Sequence, residues 1–225
     1  MPVPAANPAH GRPVRHPVFA RFYERLSEAA DVQSGVRAHR GELLAGLGGR
    51  VIEVGAGNGL NFARYPAEVS RVTAVEPEPR LRASAVRAAR AAAVRVPVSV
   101  VAGRAEALPV GDATCDAAVC SLVLCSLPDV QKALTEVLRV LRPGGELRFY
   151  EHGRAQERPG MVRFQRALDA TVGPFLFGGC HSGRDPVGEI GAAGFTDISF
   201  RRVVVPQDGP VFPASFHVLG GARRP

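Results

Sequence analysis

A doubly wound α/β fold is predicted, with a mostly parallel seven-stranded sheet and an antiparallel C-terminal strand. Three observations point there. From residue 50 onward, short runs rich in Val and Ile alternate with longer segments of helical periodicity, the pattern of a parallel sheet covered on both faces. A glycine loop, Gly55-x-Gly57-x-Gly59, directly follows the first such run. After Gly194-Phe195 the pattern changes to strand, Pro-rich loop, strand with no helix between, which gives a hairpin and one antiparallel member.

The elements follow from periodicity and punctuation. Residues 1–17, "MPVPAANPAHGRPVRHP", are rich in Pro and small polar residues and read as a flexible leader. A single domain is expected over residues 18–225. Its first part, residues 18–48, holds two helices covering the site: one begins at Val18, the other runs from Gly35 to Leu47 and stops at Gly48-Gly49. Strands are expected at Arg50–Val54, Arg71–Glu76, Pro97–Ala102, Cys115–Cys120, Gly145–Glu151, Thr196–Val204 and Phe216–Gly221. Helices are expected at Leu60–Tyr65, Pro79–Ala93, Val130–Leu141, Met161–Val172 and Pro186–Ala193. Pro143-Gly144-Gly145 reads as a turn into the fifth strand.

With 225 residues, 46% of them hydrophobic and 22% charged, the chain can bury a proper core. Its apolar runs fall far short of the ~20 residues a bilayer needs, and the N-terminus has no apolar stretch of the secretory kind, so a cytoplasmic protein is expected. Four cysteines (Cys115, Cys120, Cys125, Cys180) make no CxxC pair. They read as small buried hydrophobes in a reducing compartment, with no metal expected. The net charge of +7 comes from 27 arginines and one lysine, Lys132. Nucleic-acid surfaces interleave aromatics with such charge, and here there is no Trp and only 3 Tyr. The arginines of "RLRASAVRAARAAAVR" therefore read as a solvated helix face.

The glycine loop is not a phosphate cradle. A dinucleotide fingerprint needs G-x-G-x-x-G, but the third glycine comes one residue early and Leu60 takes its place. No Gly-Lys-Ser/Thr follows, which excludes a P-loop. Glu76 closes the second strand nineteen residues after Gly57, where an acid accepts the hydroxyls of a ribose. Glu53 adds a carboxylate just before the loop, hostile to a pyrophosphate but suited to an ammonium or sulfonium.

These residues resemble the class I S-adenosylmethionine-dependent methyltransferases, which have a Rossmann-like fold. "VIEVGAGNG" is similar to their first motif and "VTAVEPEP" to their second; "VLRVLRPGGELRFYEH" resembles the type 11 methyltransferase group. With "CSLVLCSLPD" and "FGGCHSGRD" added, the chain resembles over residues 50–221 the family containing the animal thiol S-methyltransferases. The resemblance implies S-adenosyl-L-methionine as cofactor. It places Gly55, Gly57 and Gly59 along the methionine and ribose, with Glu53 supporting the loop, Glu76 and Pro77 at the ribose, and Ala105 offering its N–H to adenine. Many relatives have Asp where this chain has Arg104, and an arginine cannot accept a hydrogen bond. Backbone at Cys120 and Ser121 would pass near the methionine.

Methyl transfer from a sulfonium is an in-line displacement needing fixed geometry, a dry pocket and, for a thiol or hydroxyl acceptor, a base. His152, at the end of the fifth strand, and His181, in "GGCHSGRD", are the candidate bases. Cys180 and Arg184 lie in the same loop as His181, and Phe164, Gln165, Asp169, Phe175 and Phe177 are expected to shape the acceptor pocket. Each histidine also reads as a plain loop residue, and Arg184 as a partner of Asp185 or Glu189. Animal members carry an apolar N-terminal anchor where this chain has its Pro-rich leader, so a membrane-embedded acceptor is not implied. The leading reading is methyl transfer to a small thiol or hydroxyl compound. A quinone or lipid C- or N-methyltransferase is the alternative on the same fold, and an RNA methyltransferase or RNA-binding protein the alternative of another class.

Overall fold

A computed structural model describes residues 35–225 except residue 92, together with Arg21, Glu24, Ser27 and Asp31. The leader over residues 1–17 and most of the helix expected from Val18 lie outside the described residues.

Seven strands form one sheet: β1 (Gly49–Val54), β2 (Val69–Val75), β3 (Val98–Val101), β4 (Cys115–Ser121), β5 (Leu141–His152), β6 (Thr196–Val204) and β7 (Phe216–Arg223). Their spatial order is β3-β2-β1-β4-β5-β7-β6. Pairs among β1 to β5 are parallel, and β7 runs antiparallel to both β5 and β6. The chain winds outward from β1 to β3 and then crosses to β4 on the other side of β1. That reversal makes a topological switch point at the carboxyl ends of β1 and β4, where open α/β sheets bind ligands.

Each face is covered because the strands are apolar on both sides. Ile52, Val54, Ala118, Cys120, Leu147 and Phe149 pack against α3 (Val130–Val140), whose Val130, Leu134 and Val137 repeat at helical spacing, and against Ile190 of α6 (Pro186–Ala192). Val51, Val72, Ala74, Ala117, Val119 and Tyr150 face Leu43 and Leu44 of α1 (Val36–Leu44) and Ala85 of α2 (Pro79–Ala89). Three helix starts are capped by acidic side chains. Glu78, Asp129 and Asp185 each accept a backbone N–H three residues on, and Pro79 and Pro186 occupy the first turns of α2 and α6.

Several boundaries differ from expectation. The helix expected at Leu60–Tyr65 is a single 3₁₀ turn, Phe62–Arg64, because Pro66 forces Tyr65 into an extended conformation. α2 stops at Ala89, four residues early, and Val96 is already buried on the way into β3. The helix expected at Met161–Val172 is α4 (Pro159–Asp169) followed by a short α5 (Gly173–Leu176). β5 starts at Leu141 rather than Gly145. Cys115 pairs with Leu141 and Ala117 with Glu146, so Pro143-Gly144-Gly145 forms a bulge inside the strand, with Gly144 at φ 74.

Candidate functional site

A cleft opens at the switch point, lined by residues from four loops. They are Gly55 and Gly57 after β1, Glu76, Pro77 and Glu78 after β2, Arg104, Ala105 and Glu106 after β3, and Leu122, Val123, Ser126 and Leu127 after β4. Val75 at the end of β2, Leu81 of α2, Pro128 and Gly178 complete it.

The glycine loop is held by Glu76. Its Oε2 accepts the Gly57 N–H at 2.8 Å and its Oε1 the Glu78 N–H at 2.9 Å. A carboxylate has about four acceptor sites, so roughly half its capacity remains for hydroxyl groups of a ligand. Burial raises the pKa of Glu76, against the lowering effect of the two backbone N–H groups. Arg82 of α2 fixes the same corner by donating to the carbonyls of Glu76 and Pro77, both at 3.0 Å. The three glycines have different jobs. Gly57 sits at φ 57 on the cleft wall. A Cβ on Gly55 would collide with Val123 Cγ2. One on Gly59 would meet Phe62 at 2.7 Å and Ala88 at 2.9 Å, so Gly59 packs the loop on its own turn and on α2.

Glu53 lies behind the cleft. It is 2% exposed and accepts from Asn61 Nδ2 at 2.8 Å and Tyr65 Oη at 2.7 Å. Desolvation raises its pKa to about 6, against those two hydrogen bonds and the positive charge of Arg40. Buried Arg40 donates to Asn61 Oδ1 at 2.9 Å and Ser121 Oγ at 3.0 Å and pairs with Asp31 at 3.2 Å. Ser121 thus belongs to this charged floor, and Cys120 is fully buried with its thiol pushed well above the ordinary range by burial. Leu122 and Val123 form the wall expected of Cys120 and Ser121. Leu122 adopts φ 57 with its N–H on the Tyr150 carbonyl at 2.7 Å, a conformation costing a non-glycine residue roughly 1–2 kcal/mol.

Glu151, beside the expected His152, organises the loop after β4. It is fully buried and accepts the N–H groups of Val123 at 2.9 Å, Leu124 at 3.0 Å and Cys125 at 3.4 Å. Arg184 secures the same loop from outside, donating to the carbonyls of Leu124 at 2.6 Å and Leu127 at 2.8 Å. Its partners are backbone carbonyls and not Asp185 or Glu189.

The two histidines separate. His152 Nδ1 lies 3.4 Å from Cys125 Sγ and 3.3 Å from Cys180 Sγ, and its ring packs 4.6 Å from that of His217. His181 Nδ1 faces the Gly179 carbonyl at 2.8 Å, and the His181 backbone N–H donates to the Cys125 carbonyl at 2.8 Å. The loop bearing Cys180 and His181 is thereby tied to the one bearing Cys125.

The residues expected to shape an acceptor pocket do not line this cleft. Gln165 is fully buried and rivets loops together, donating to the carbonyls of Gly153, Ser182 and Pro213 and accepting from Ala155 N–H. Asp169 accepts the N–H groups of Ser182 and Gly183. Phe164, Phe175 and Phe177 are 55%, 88% and 49% exposed. Arg104 lines the cleft and pairs with Glu106 at 3.5 Å.

Elsewhere several arginines are engaged by the chain itself. Arg80 pairs with Glu24 at 2.8 Å, Arg139 with Asp112 at 2.6 Å and Glu136 at 2.7 Å, and Arg201 with Glu42 at 2.5 Å. Among the described residues no helix is long and apolar enough to cross a membrane.

Comparison with known proteins gives a consistent result. A family model described as a methyltransferase domain matches residues 52–149. A human thiol S-methyltransferase is 34% identical over 165 residues, spanning 72% of this chain and 67% of that protein. A mouse thiol S-methyltransferase is 33% identical over 207 residues, 90% of this chain and 81% of the relative. A demethylmenaquinone methyltransferase of Thermobifida fusca is 35% identical over 140 residues, 62% of this chain and 53% of the relative. Among solved structures, the N-methyltransferase NodS of Bradyrhizobium japonicum, in complex with S-adenosyl-L-homocysteine, has a TM-score of 0.64 at 20% identity, covering 92% of this chain and 98% of that one.

Proposed function

The chain belongs to the S-adenosylmethionine-dependent methyltransferases of the family that includes the thiol S-methyltransferases, and on that premise we propose that its acceptor is a small thiol. When bound, S-adenosylmethionine supplies a methyl group on a sulfonium, open to in-line attack. Gly55 and Gly57 allow a ligand to approach the backbone, and the free lone pairs of Glu76 take two ribose hydroxyls. Pro77 lies beside the ribose, and Arg104 and Ala105 flank the adenine. Glu53, Gly59, Cys120 and Ser121 support these contacts from behind. The observation that carries the cofactor half of the proposal is the meeting of Gly55, Gly57, Glu76, Pro77, Arg104 and Ala105, drawn from three loops, in one cleft at the switch point.

A thiol acceptor is supported by the relatives named as thiol S-methyltransferases and by the apolar end of the cleft at Leu127, Pro128 and Gly178. The thiolate is the reactive nucleophile. Loss of the acceptor proton is assigned to the region of His152, whose Nδ1 lies 3.3 Å from Cys180 Sγ in the loop that brings Gly178 to the cleft, and His181 acts by holding the loop. Phe164, Gln165, Asp169, Cys180 and Arg184 then position the loops around the acceptor. A cytoplasmic setting is part of the proposal and rests on the four free cysteines among the described residues.

Calorimetry with S-adenosylmethionine and S-adenosylhomocysteine is the first test, and Gly57→Val should abolish binding because a side chain at φ 57 would stand in the cleft. The second is S-adenosylhomocysteine formation with hydrogen sulfide and small alkyl thiols, compared with an isoprenoid quinol. Turnover of the quinol alone would overturn the thiol reading in favour of quinone methylation, as the name of the Thermobifida demethylmenaquinone methyltransferase suggests.

A further inference from the structure

We infer that Cys125, His152 and Cys180 bind a thiophilic divalent cation, of which zinc is the type, and that the remaining coordination position takes the acceptor sulfur. The second half rests on the thiol reading above; the first stands without it.

The three side chains come from the 3₁₀ turn after β4 (Leu124–Ser126), the last residue of β5, and the loop after α5. No local spacing pairs them, yet one ligand atom from each lies within 4.8 Å of the others. His152 Nδ1 is 3.4 Å from one sulfur and 3.3 Å from the other. In a tetrahedral site with metal–sulfur bonds of about 2.3 Å and metal–nitrogen bonds of about 2.0–2.1 Å, the nitrogen–sulfur edge is roughly 3.5 Å. The cluster is therefore within a few tenths of an ångström of that edge.

Two thiolates and one imidazole with a fourth position open is also a donor set found in catalytic zinc sites, and soft sulfur ligands select such ions. Hard cations such as Mg²⁺ and Ca²⁺ seek oxygen, which these three residues do not provide. The supports are rigid. The Cys125 N–H is accepted by Glu151, and the Cys125 carbonyl takes the His181 N–H at 2.8 Å. His152 is paired in register with His217 across β5 and β7.

Charge balances as well. Binding a divalent cation breaks two S–H bonds, forms two metal–sulfur bonds and one metal–nitrogen bond, and releases two protons to solvent. The product is neutral, so a partly buried site takes up no net charge. Location gives the open position a use. Ser126 follows Cys125 and Gly178 lies two residues before Cys180, and both line the cleft. An acceptor thiol displacing water there gives its proton to solvent and is held as a thiolate. When that sulfur attacks, the new carbon–sulfur bond forms as the sulfonium carbon–sulfur bond breaks. The product is a neutral thioether, a weaker ligand that leaves.

The test uses the full chain, reduced and stripped of metal, titrated with Co²⁺ and then Zn²⁺. One Co²⁺ per chain is expected, with sulfur-to-cobalt charge-transfer absorption that Zn²⁺ abolishes. Cys125→Ser and Cys180→Ser should each weaken that absorption and lower affinity, and His152→Ala should lower affinity. S-adenosylhomocysteine binding, measured on the same variants by calorimetry, should persist; it reports folding and separates a failed metal site from a failed cofactor site. Folded wild type lacking the absorption, or keeping it unchanged in both cysteine variants, would overturn the metal site. Ethanethiol added to the cobalt-loaded wild type should shift the cobalt bands, and an unchanged spectrum would overturn the acceptor half.

Discussion

Replacing Glu76 with Gln tests the cofactor reading at its most constrained point. The wild-type carboxylate accepts Gly57 N–H at 2.8 Å and Glu78 N–H at 2.9 Å while nearly buried, leaving the rest of its lone pairs for ligand hydroxyls. Glutamine has almost the same shape but one acceptor oxygen, so its amide group must face either a backbone donor or a ribose hydroxyl. One charge-assisted hydrogen bond is worth ~1.5–3 kcal/mol, and a loss of about 2 kcal/mol corresponds to roughly thirtyfold in affinity. Calorimetry with S-adenosylhomocysteine reads this directly, with circular dichroism to check the fold. The pH dependence adds an independent sign. Burial raises the Glu76 pKa in the free protein, and ribose hydroxyls favour the ionised form, so wild-type affinity should climb as pH rises through the titration of this group and then level off. The Gln variant should lack that climb. An affinity within threefold of wild type, with the same pH profile, would refute the assignment of Glu76 to the ribose.

Other outcomes follow from the floor and the loops. Glu53 has a pKa raised from 4.5 to about 6, so the stability linked to this group is fully present below about pH 4.5 and is lost as pH rises through 6. The loss is of the order of 2 kcal/mol. Glu53→Gln should therefore gain up to about 2 kcal/mol relative to wild type above pH 7 and nothing near pH 4.5, read by urea unfolding; an equal difference at both pH values would contradict it. Gly59→Ala puts a Cβ 2.7 Å from Phe62 and 2.9 Å from Ala88 at φ 84. It should lower stability by about 2–4 kcal/mol, and an unchanged melting temperature would sink that reading. Arg184→Ala frees the carbonyls of Leu124 and Leu127. It should cost about 2–3 kcal/mol in stability and also weaken S-adenosylhomocysteine binding by loosening the cleft wall; an acid-specific loss of substrate binding would point instead to a direct contact.

Much of the fold was legible because its signals are local. Val and Ile runs, Gly55-x-Gly57-x-Gly59 and the Gly-Pro punctuation between elements all act within a few residues. Strand identity, most of the helices between them and the antiparallel tail are consequences of that short range. Where local rules compete, the tertiary structure decided. Pro143-Gly144-Gly145 has the residues of a turn, but the register of β4 against β5 makes it a bulge.

The same divide runs through the site. Sequence by itself determined the cofactor class and the side of the sheet that holds it, because glycine conformations and a carboxylate at the end of β2 are backbone-level requirements. Only the tertiary structure decided that Glu53 belongs to a buried network with Arg40, Asn61 and Tyr65, that Glu151 holds three backbone N–H groups, and that Gln165 and Arg184 secure loops. It alone brought Cys125, His152 and Cys180 within reach of a single ion. Those contacts join residues 26 to 60 positions apart, apart from a few shorter ones within the Glu53 and Gln165 networks. The distance between such side chains is set by sheet order and loop path, which no local pattern of residues encodes.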